Sequence, residues 1–540
     1  MRHEAPRIGF SAYPNAGDGR LARRTLRLVG SAALVSALAG GSGAIGCRSA
    51  VDDFYTPLAS GTATGGSGGT GGLPSDCTGD PTKDPSLVRD ECGLFVDLSA
   101  GSSGKGTKAS PFKTLGEAAE KSASRIFVCA RDEAYVEPAT VVLTNGVEVF
   151  GGFGDCPAAG DWTWDAAKRA KVNGPANAPV FHVSMGESLI QGFALTAPNA
   201  TDPGASSIGI LADSAVLKLT DVDVATGDGA IGANGAVPQV DALAGKDAAP
   251  DATPACNPTL VPGKGASQTC DDGDSTGGDG GKGGLSGVMS GEAGTNGEPL
   301  PDPNPDGFGT GGQPTEVSIT CDGKPGKEGD AGGSGAGGEA LGTLTLAGVT
   351  GGDGEDGGNG KRGQGGGGGG GAKAGTFCPP AGTPTPGPGA SGGGGGSGGC
   401  GGKGGGGGKA GGSSVGIVGL ASTLTFSGVT ITTGAGATGG NGALGKSGGD
   451  PGNGAAGGAK SGIGTSKPGC AGGKGGNGGN GGQGGGGRGG HSIGIAYTVT
   501  APVLEGATIT PGTAGNGGVG DSLSMGDGAL GTAGEAVKFD

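Results

Sequence analysis

Residues 208–224 read IGILADSAVLKLTDVDV, and two later stretches repeat their pattern without a gap: VGIVGLASTLTFSGVTI at 415–431 and IGIAYTVTAPVLEGATI at 493–509. Counted from each start, positions 0, 2, 9, 11, 14 and 16 hold Ile208, Ile210, Leu217, Leu219, Val222 and Val224 in the first copy. The second copy places Val415, Ile417, Leu424, Phe426, Val429 and Ile431 there, and the third Ile493, Ile495, Pro502, Leu504, Ala507 and Ile509. Seventeen of these eighteen positions are apolar in a chain that is 33% apolar. Side chains two apart on a strand share a face, so each copy predicts three short strands with two inward residues apiece. Three strands joined by tight corners close one triangular coil, and stacked coils pair like strands above and below.

Working outward, Val180–Leu195 is a weaker copy that places Ile190, Phe193 and Leu195 at the last three positions. TLTLAGVT at 343–350 nearly repeats TLTFSGVT at 423–430. The predicted fold is therefore all-β, a parallel β-helix. Its cap and first coils occupy 77–226, a degenerate coil 341–350, and further coils 413–432 and 491–510. Glycine-rich stretches separate them at 227–340, 351–412 and 433–490, with a glycine-rich tail at 511–540. A recurring corner would send every insert out from one edge.

Glycine supplies 140 of 540 residues, about 26% against about 7% in an ordinary chain. Residues 77–226 hold 16 glycines in 150, whereas 351–410 hold 32 in 60. Collagen is excluded, because the glycines cluster without a strict every-third-residue period. Local runs such as GGNGGNGGQ at 475–483 do carry a period of three. That period suits polyproline-II-type helices of three residues per turn, packed closely where no Cβ intervenes. Disorder is the competing reading, since glycine loses most entropy on folding. For Pro379–Pro388 disorder is the expectation.

The first 46 residues read as an export signal. Arg20, Arg23, Arg24 and Arg27 precede an apolar run from Leu28 to Ala39, the order of a signal peptide, and the run is too short to span a bilayer as a folded helix. Ala44-Ile45-Gly46-Cys47 resembles the bacterial lipobox, which implies a lipid on Cys47, although Ala44 stands where leucine is usual. The Arg23-Arg24 pair leaves twin-arginine export open beside the general route. Residues 47–76 then form a tether containing the linker Gly61–Gly72. Eleven cysteines are an odd number for an oxidising compartment. Setting Cys47 aside leaves Cys77, Cys92, Cys129, Cys156, Cys256, Cys270, Cys321, Cys378, Cys400 and Cys470, enough for five disulfides. Their connectivity is open, with the neighbours Cys77–Cys92 and Cys129–Cys156 the simplest pairs.

The net charge of −15 excludes a nucleic-acid partner. Gly440–Ser447 matches the P-loop formula, but Gly448-Gly449-Asp450-Pro451 cannot start the helix that a phosphate cradle needs. GxSxG around Ser67 and Ser397 lacks a strand–turn–helix context. His182 and His491 have no acid at a telling spacing. Asp271, Asp272, Asp274 and Asp279 form a weak candidate Ca²⁺ cluster, but Gly283 sits where an EF-hand would place its last acid. Asp353, Glu355 and Asp356 form a second acidic group. Apart from Ca²⁺, no cofactor is expected.

The passages Phe95–Asp97, Gly106–Leu115, Ile126–Val128 and Asn145–Phe153 resemble the capping region of pectate-lyase-like proteins. That resemblance implies a right-handed β-helix with an N-terminal cap; the capping helix is read from Ser110-Pro111, which opens a helical pattern to about Ser122 with Phe112, Leu115, Ala118 and Ala119 on one face. The glycine tracts of 227–540 resemble PGRS-type bacterial surface proteins, including myxobacterial lipoproteins so labelled. This likeness implies a cell-surface or outer-membrane lipoprotein of a Gram-negative bacterium, held to the membrane by its lipid. The expected role is structural or adhesive and non-catalytic, with contacts to extracellular polysaccharide, surface proteins or cells, or copies of itself. The alternative is a surface polysaccharide lyase or hydrolase. Such lyases commonly use an arginine base, and beyond Arg131 only Arg169, Arg362 and Arg488 remain. The coil-face groups Lys218, Asp221, Asp223 and Glu505 include no carboxylate pair that recurs on one face.

Overall fold

Like strands of the repeat pair in parallel, each with its own copy. Ile208 lies opposite Val415 and Val415 opposite Ile493, while Leu217 and Leu219 lie opposite Leu424 and Phe426. Val224 pairs with Ile431, which pairs with Ile509. These registers come from a computed structural model that describes residues 75–101, 104–156, 160–316, 320–520 and 526–540, all within the unit Gly69–Asp540.

The described chain is nearly all-β, built on two large sheets. One has at its centre Leu94–Val96, Arg125–Cys129, Glu148–Gly154, Glu187–Ala197, Val216–Thr226, Val429–Thr433 and Ala507–Thr510. The other runs Val141–Thr144, Phe181–Ser184, Ser207–Asp213, Ser414–Leu420, Ser492–Tyr497 and Ala533–Lys538. Corners recur with the repeat. Asp221, Gly428 and Gly506 occupy one repeat position and all have positive φ, at 52°, 65° and 83°. The inward faces share one apolar core from Val96 to Ile495.

Four sequence expectations are corrected. Position 0 does not face that core: Ile208, Val415 and Ile493 turn outward into a second cluster with Leu344, Val349 and Phe539. The reason is the glycine at position 1. A Cβ on Gly209, Gly416 or Gly494 would lie 2.4, 2.3 or 2.2 Å from Val224, Ile431 or Ile509, so the backbone itself fills that inward place. The third copy lacks its middle strand, where Pro502 has no N–H to give a ladder. Residues 343–350 are no coil; Thr343–Thr345 and Gly348–Thr350 form an antiparallel hairpin that covers the outward row. The helix spans only Leu115–Ala119, because Thr114 and Glu117 close a capping box there while Phe112 is still bonded to Phe95. The carboxylate of buried Glu137 also accepts from the amides of Leu115 and Gly116, at 2.7 and 3.2 Å.

The glycine stretches are ordered by backbone hydrogen bonds of period three. Along 354–372, the amides of Gly354, Gly357, Gly360, Gly363, Gly366 and Gly369 donate to the carbonyls of Gly408, Gly405, Gly402, Gly399, Gly396 and Gly393. Gly367 and Gly370 donate to Lys324 and Cys321, and Gly368 and Gly371 to Thr295 and Glu292. The carbonyls of Gly366, Gly367 and Gly368 accept from Gly278, Gly473 and Gly312. Donating to three neighbours and accepting from three others, this segment is surrounded by six. Each residue row faces a different neighbour, as a helix of three residues per turn requires. Residues 363–372 and 389–400 are accordingly buried throughout. Pro379–Pro388 is structured too, with Gly375–Cys378 and Thr385–Gly387 forming a hairpin tied by Cys256–Cys378.

The close approach decides which glycines are replaceable. A Cβ on Gly366 would sit 2.1 Å from the Gly473 carbonyl oxygen, whereas one on Gly333 meets nothing within 4 Å. Gly366→Ala is expected to lower stability by about 3 kcal/mol through overpacking. Gly333→Ala should be neutral or stabilising by about 0.5 kcal/mol. Denaturant midpoints of the two variants check this, and equal midpoints would contradict it.

Candidate functional site

Where the lattice of backbones ends, a neighbour's carbonyl is missing and a side-chain oxygen replaces it. Asp353, Asp356 and Asn359, three apart, accept from the amides of Ala410, Gly407 and Gly404 at 2.9, 2.8 and 2.9 Å. Asp228 and Asn234 accept from Ala435 and Asn441 one repeat copy on, and Asn441 from Val519. Asn480 and Asp322 do the same for Gly448 and Ala471. Each of these exposed Asp or Asn residues holds the next segment through its side-chain oxygen, and Asp353, Asn359, Asn441 and Asn480 stand third in a Gly-Gly-Asp or Gly-Gly-Asn triplet. The result is a polar wall of amides, carbonyls and short carboxylates. The sequence signal is the asparagine or aspartate itself, although Asp353 and Asp356 read in sequence only as part of an acidic group.

The acidic residues singled out in sequence are not gathered at one point. Asp271 faces Lys403, Asp272 faces Arg362 at 3.3 Å, and Asp279 faces Lys264 at 2.8 Å. Asp274 gives only its backbone carbonyl, to Arg362. Burial acts to raise the Asp279 carboxyl, but hydrogen bonds from Lys264 and the Gly265 amide outweigh it and hold it below the usual range. Among the described residues the one grouping of three potential ligands is Cys321, Asp322 and Cys470. Its two sulfurs are joined in a disulfide, so they offer no thiolate.

The other singled-out groups have structural partners. Asp221 is 3.5 Å from Arg169, Lys218 pairs with Glu187, and Arg131 pairs with Asp97 at 2.6 Å. Gly440, Ala443 and Lys446 of the P-loop-like stretch donate their amides to Lys409, Gly406 and Lys403 of the neighbouring segment. Ser397 is fully buried and accepts from the Lys246 amide at 2.7 Å. Cys47, Ser67, the signal stretch and the tether as far as residue 74 lie outside the described residues. The ten remaining cysteines form Cys77–Cys92, Cys129–Cys156, Cys256–Cys378, Cys270–Cys400 and Cys321–Cys470. The last three span 122, 130 and 149 residues and join glycine-rich segments far apart in sequence.

Hydroxyl pairs join the last strand of one repeat copy to the first strand of the next, and sequence reasoning missed them. Thr226 meets Ser414 at 2.7 Å and Thr433 meets Ser492 at 2.8 Å. Beside them His491 is fully buried. Its Nε2 lies 2.9 Å from the Leu341 carbonyl and its Nδ1 accepts from the Thr532 amide at 3.0 Å. This fixes the neutral tautomer with the proton on Nε2.

No protein-family model, curated protein or solved structure matches the chain.

Burial, chiefly, holds the His491 imidazole below its ordinary value, with Arg488 adding to the effect and the Leu341 contact opposing it. The unfolded chain then takes up this proton first. Stability is full above about pH 6.5, the unfolded value, and falls as pH drops below it. Denaturation midpoints between pH 7 and 5 should fall less steeply in His491→Gln than in the parent, and identical slopes would contradict the assignment.

Proposed function

We propose that this is an exported, surface-anchored structural or adhesive protein without catalytic activity. Its two parallel sheets are faces of a right-handed parallel β-helix, and its glycine segments leave one edge as a side wall. A lipid on Cys47 and the tether 47–76 hold this body at the surface of a Gram-negative cell, in the manner of PGRS-type lipoproteins. The wall meets extracellular polysaccharide, neighbouring cells or like copies through many weak polar contacts.

The observation that carries this reading is the wall itself. Rows of Asp, Asn and peptide groups repeat every three residues along neighbouring segments, a surface suited to extended ligands with hydroxyls at regular intervals. The coil-face acids support it from the other side, since Asp221 is engaged by Arg169 and Glu187 by Lys218.

The test uses the whole protein with pectins and bacterial exopolysaccharides, with and without Ca²⁺. Retention without release of reducing or unsaturated ends is the expected result. Turnover that disappears in Asp221→Ala or Asp223→Ala would reject it in favour of a polysaccharide lyase or hydrolase. Mass spectrometry of the membrane fraction should find the mature N-terminus at lipidated Cys47.

A further inference from the structure

The cap row on segment 351–374 has a gap. Asp353, Asp356 and Asn359 cap the amides of Ala410, Gly407 and Gly404. Three residues further, the position that should cap Gly401 is Arg362. An arginine has no acceptor, and its guanidinium is drawn aside to the backbone carbonyls of Asp272 and Asp274. One turn beyond, the Gly398 amide again finds an acceptor, Ser275 Oγ at 2.8 Å. Gly401 alone in this row carries no hydrogen bond on its amide among the described residues.

A second defect meets the first. The carbonyls of Ala236 and Leu243 accept from the amides of Gly406 and Cys400. Seven residues on one side thus span six on the other, which is a one-residue bulge in segment 236–243. The Lys403 amide, midway between those two bonds, has no partner among the described residues. Gly401 and Lys403 both line one cleft of about 320 Å³, formed by residues 240–243, 269–272, 359–361, 400, 401 and 403, within the size range of small-ligand sites.

The remaining lining is mixed in a particular way. Lys361 reaches the cleft with no ion pair among the described residues. Asp271 and Asp241 are exposed carboxylates already balanced by Lys403 and Lys446. Leu243, 58% exposed, supplies an aliphatic wall. The disulfide Cys270–Cys400 ties the floor together. Bare amides and a free ammonium call for an acceptor-rich, negatively charged group. The flanking carboxylates call for hydroxyl donors, and an aliphatic wall suits the C–H face of a pyranose ring.

We infer that this cleft is a subsite for a carboxylated sugar, a uronic acid unit of an acidic polysaccharide; this rests on the polysaccharide-binding reading above. The uronate carboxylate is held by Lys361 and the bare amides, and the ring hydroxyls by Asp271 and Asp241. Arg362 is the specificity-determining departure, since an asparagine there would close the row.

The intact protein should be titrated calorimetrically with trigalacturonate, and with maltotriose as the neutral probe. The uronate is expected to bind and the neutral sugar to bind at least about tenfold more weakly, the scale of one lost charge-assisted contact. Lys361→Gln should weaken uronate binding by a similar factor, and Arg362→Asn should abolish it by capping Gly401. Lys83→Gln, whose lysine pairs with Asp80 at 3.0 Å near the start of the described chain, should bind like the parent. Circular dichroism must show each variant folded, and Lys361→Gln carries the test if Arg362→Asn is not. Equal binding of both sugars, or unchanged uronate binding in folded Lys361→Gln, overturns the subsite. If such a variant and its parent are both still retained on polysaccharide, the subsite falls and the adhesive reading stands. If the parent is retained on no polysaccharide, both fall.

Discussion

Contact between bare backbones governs this molecule. A Cβ on Gly366, Gly395 or Gly408 would lie about 2 Å from a neighbouring carbonyl oxygen, far inside any tolerable separation. Because the chains come that close, amides and carbonyls of adjacent segments reach one another on every side. The hydrogen bonds that result replace the apolar burial which 351–412, with few large side chains, could not provide. Glycine's large loss of conformational entropy is offset by the number of these bonds and by three disulfides that close loops of more than a hundred residues.

The same register runs through sheet and lattice. After the last strand of a repeat copy, Gly229, Gly232 and Gly235 donate to Ala435, Thr438 and Asn441, and Gly436, Gly439 and Gly442 donate to Thr513, Asn516 and Val519. The two-residue period of the strand thus gives way to a three-residue period without losing its partner one repeat on. Thr226–Ser414 and Thr433–Ser492 mark the junction. The parallel strands set the spacing at which glycine segments first meet, and the segments continue it. The polar rows that serve the proposed binding role follow from the same spacing.

Parallel pairing was legible in the sequence because the apolar positions recur without a gap and because side-chain alternation has a fixed physical cause. The outward turn of Ile208, Val415 and Ile493 was not read, although Gly209, Gly416 and Gly494 stood beside them as its signal. The hairpin at 343–350 was mistaken for a coil because one face of a buried strand and one face of a covering hairpin demand the same apolar residues. In the lattice, composition carried more than was taken from it. The enclosed stretch 365–371 is glycine in all three rows, whereas a segment with an open side can hold Asn or Asp in the third. The cleft beside Gly401 was invisible for a related reason. It arises from a cap that Arg362 does not make and from one extra residue in 236–243, and neither leaves a motif.

The central claim, that glycine segments form a hydrogen-bonded lattice instead of loose loops, is tested most directly by amide hydrogen exchange of the intact protein. Amides of 363–372 and 389–400 should be protected to the same degree as those of Val216–Thr226, because they open only with the body as a whole. Exchange of those glycine amides at the rate of an unstructured chain, with the sheet still protected, would contradict the account.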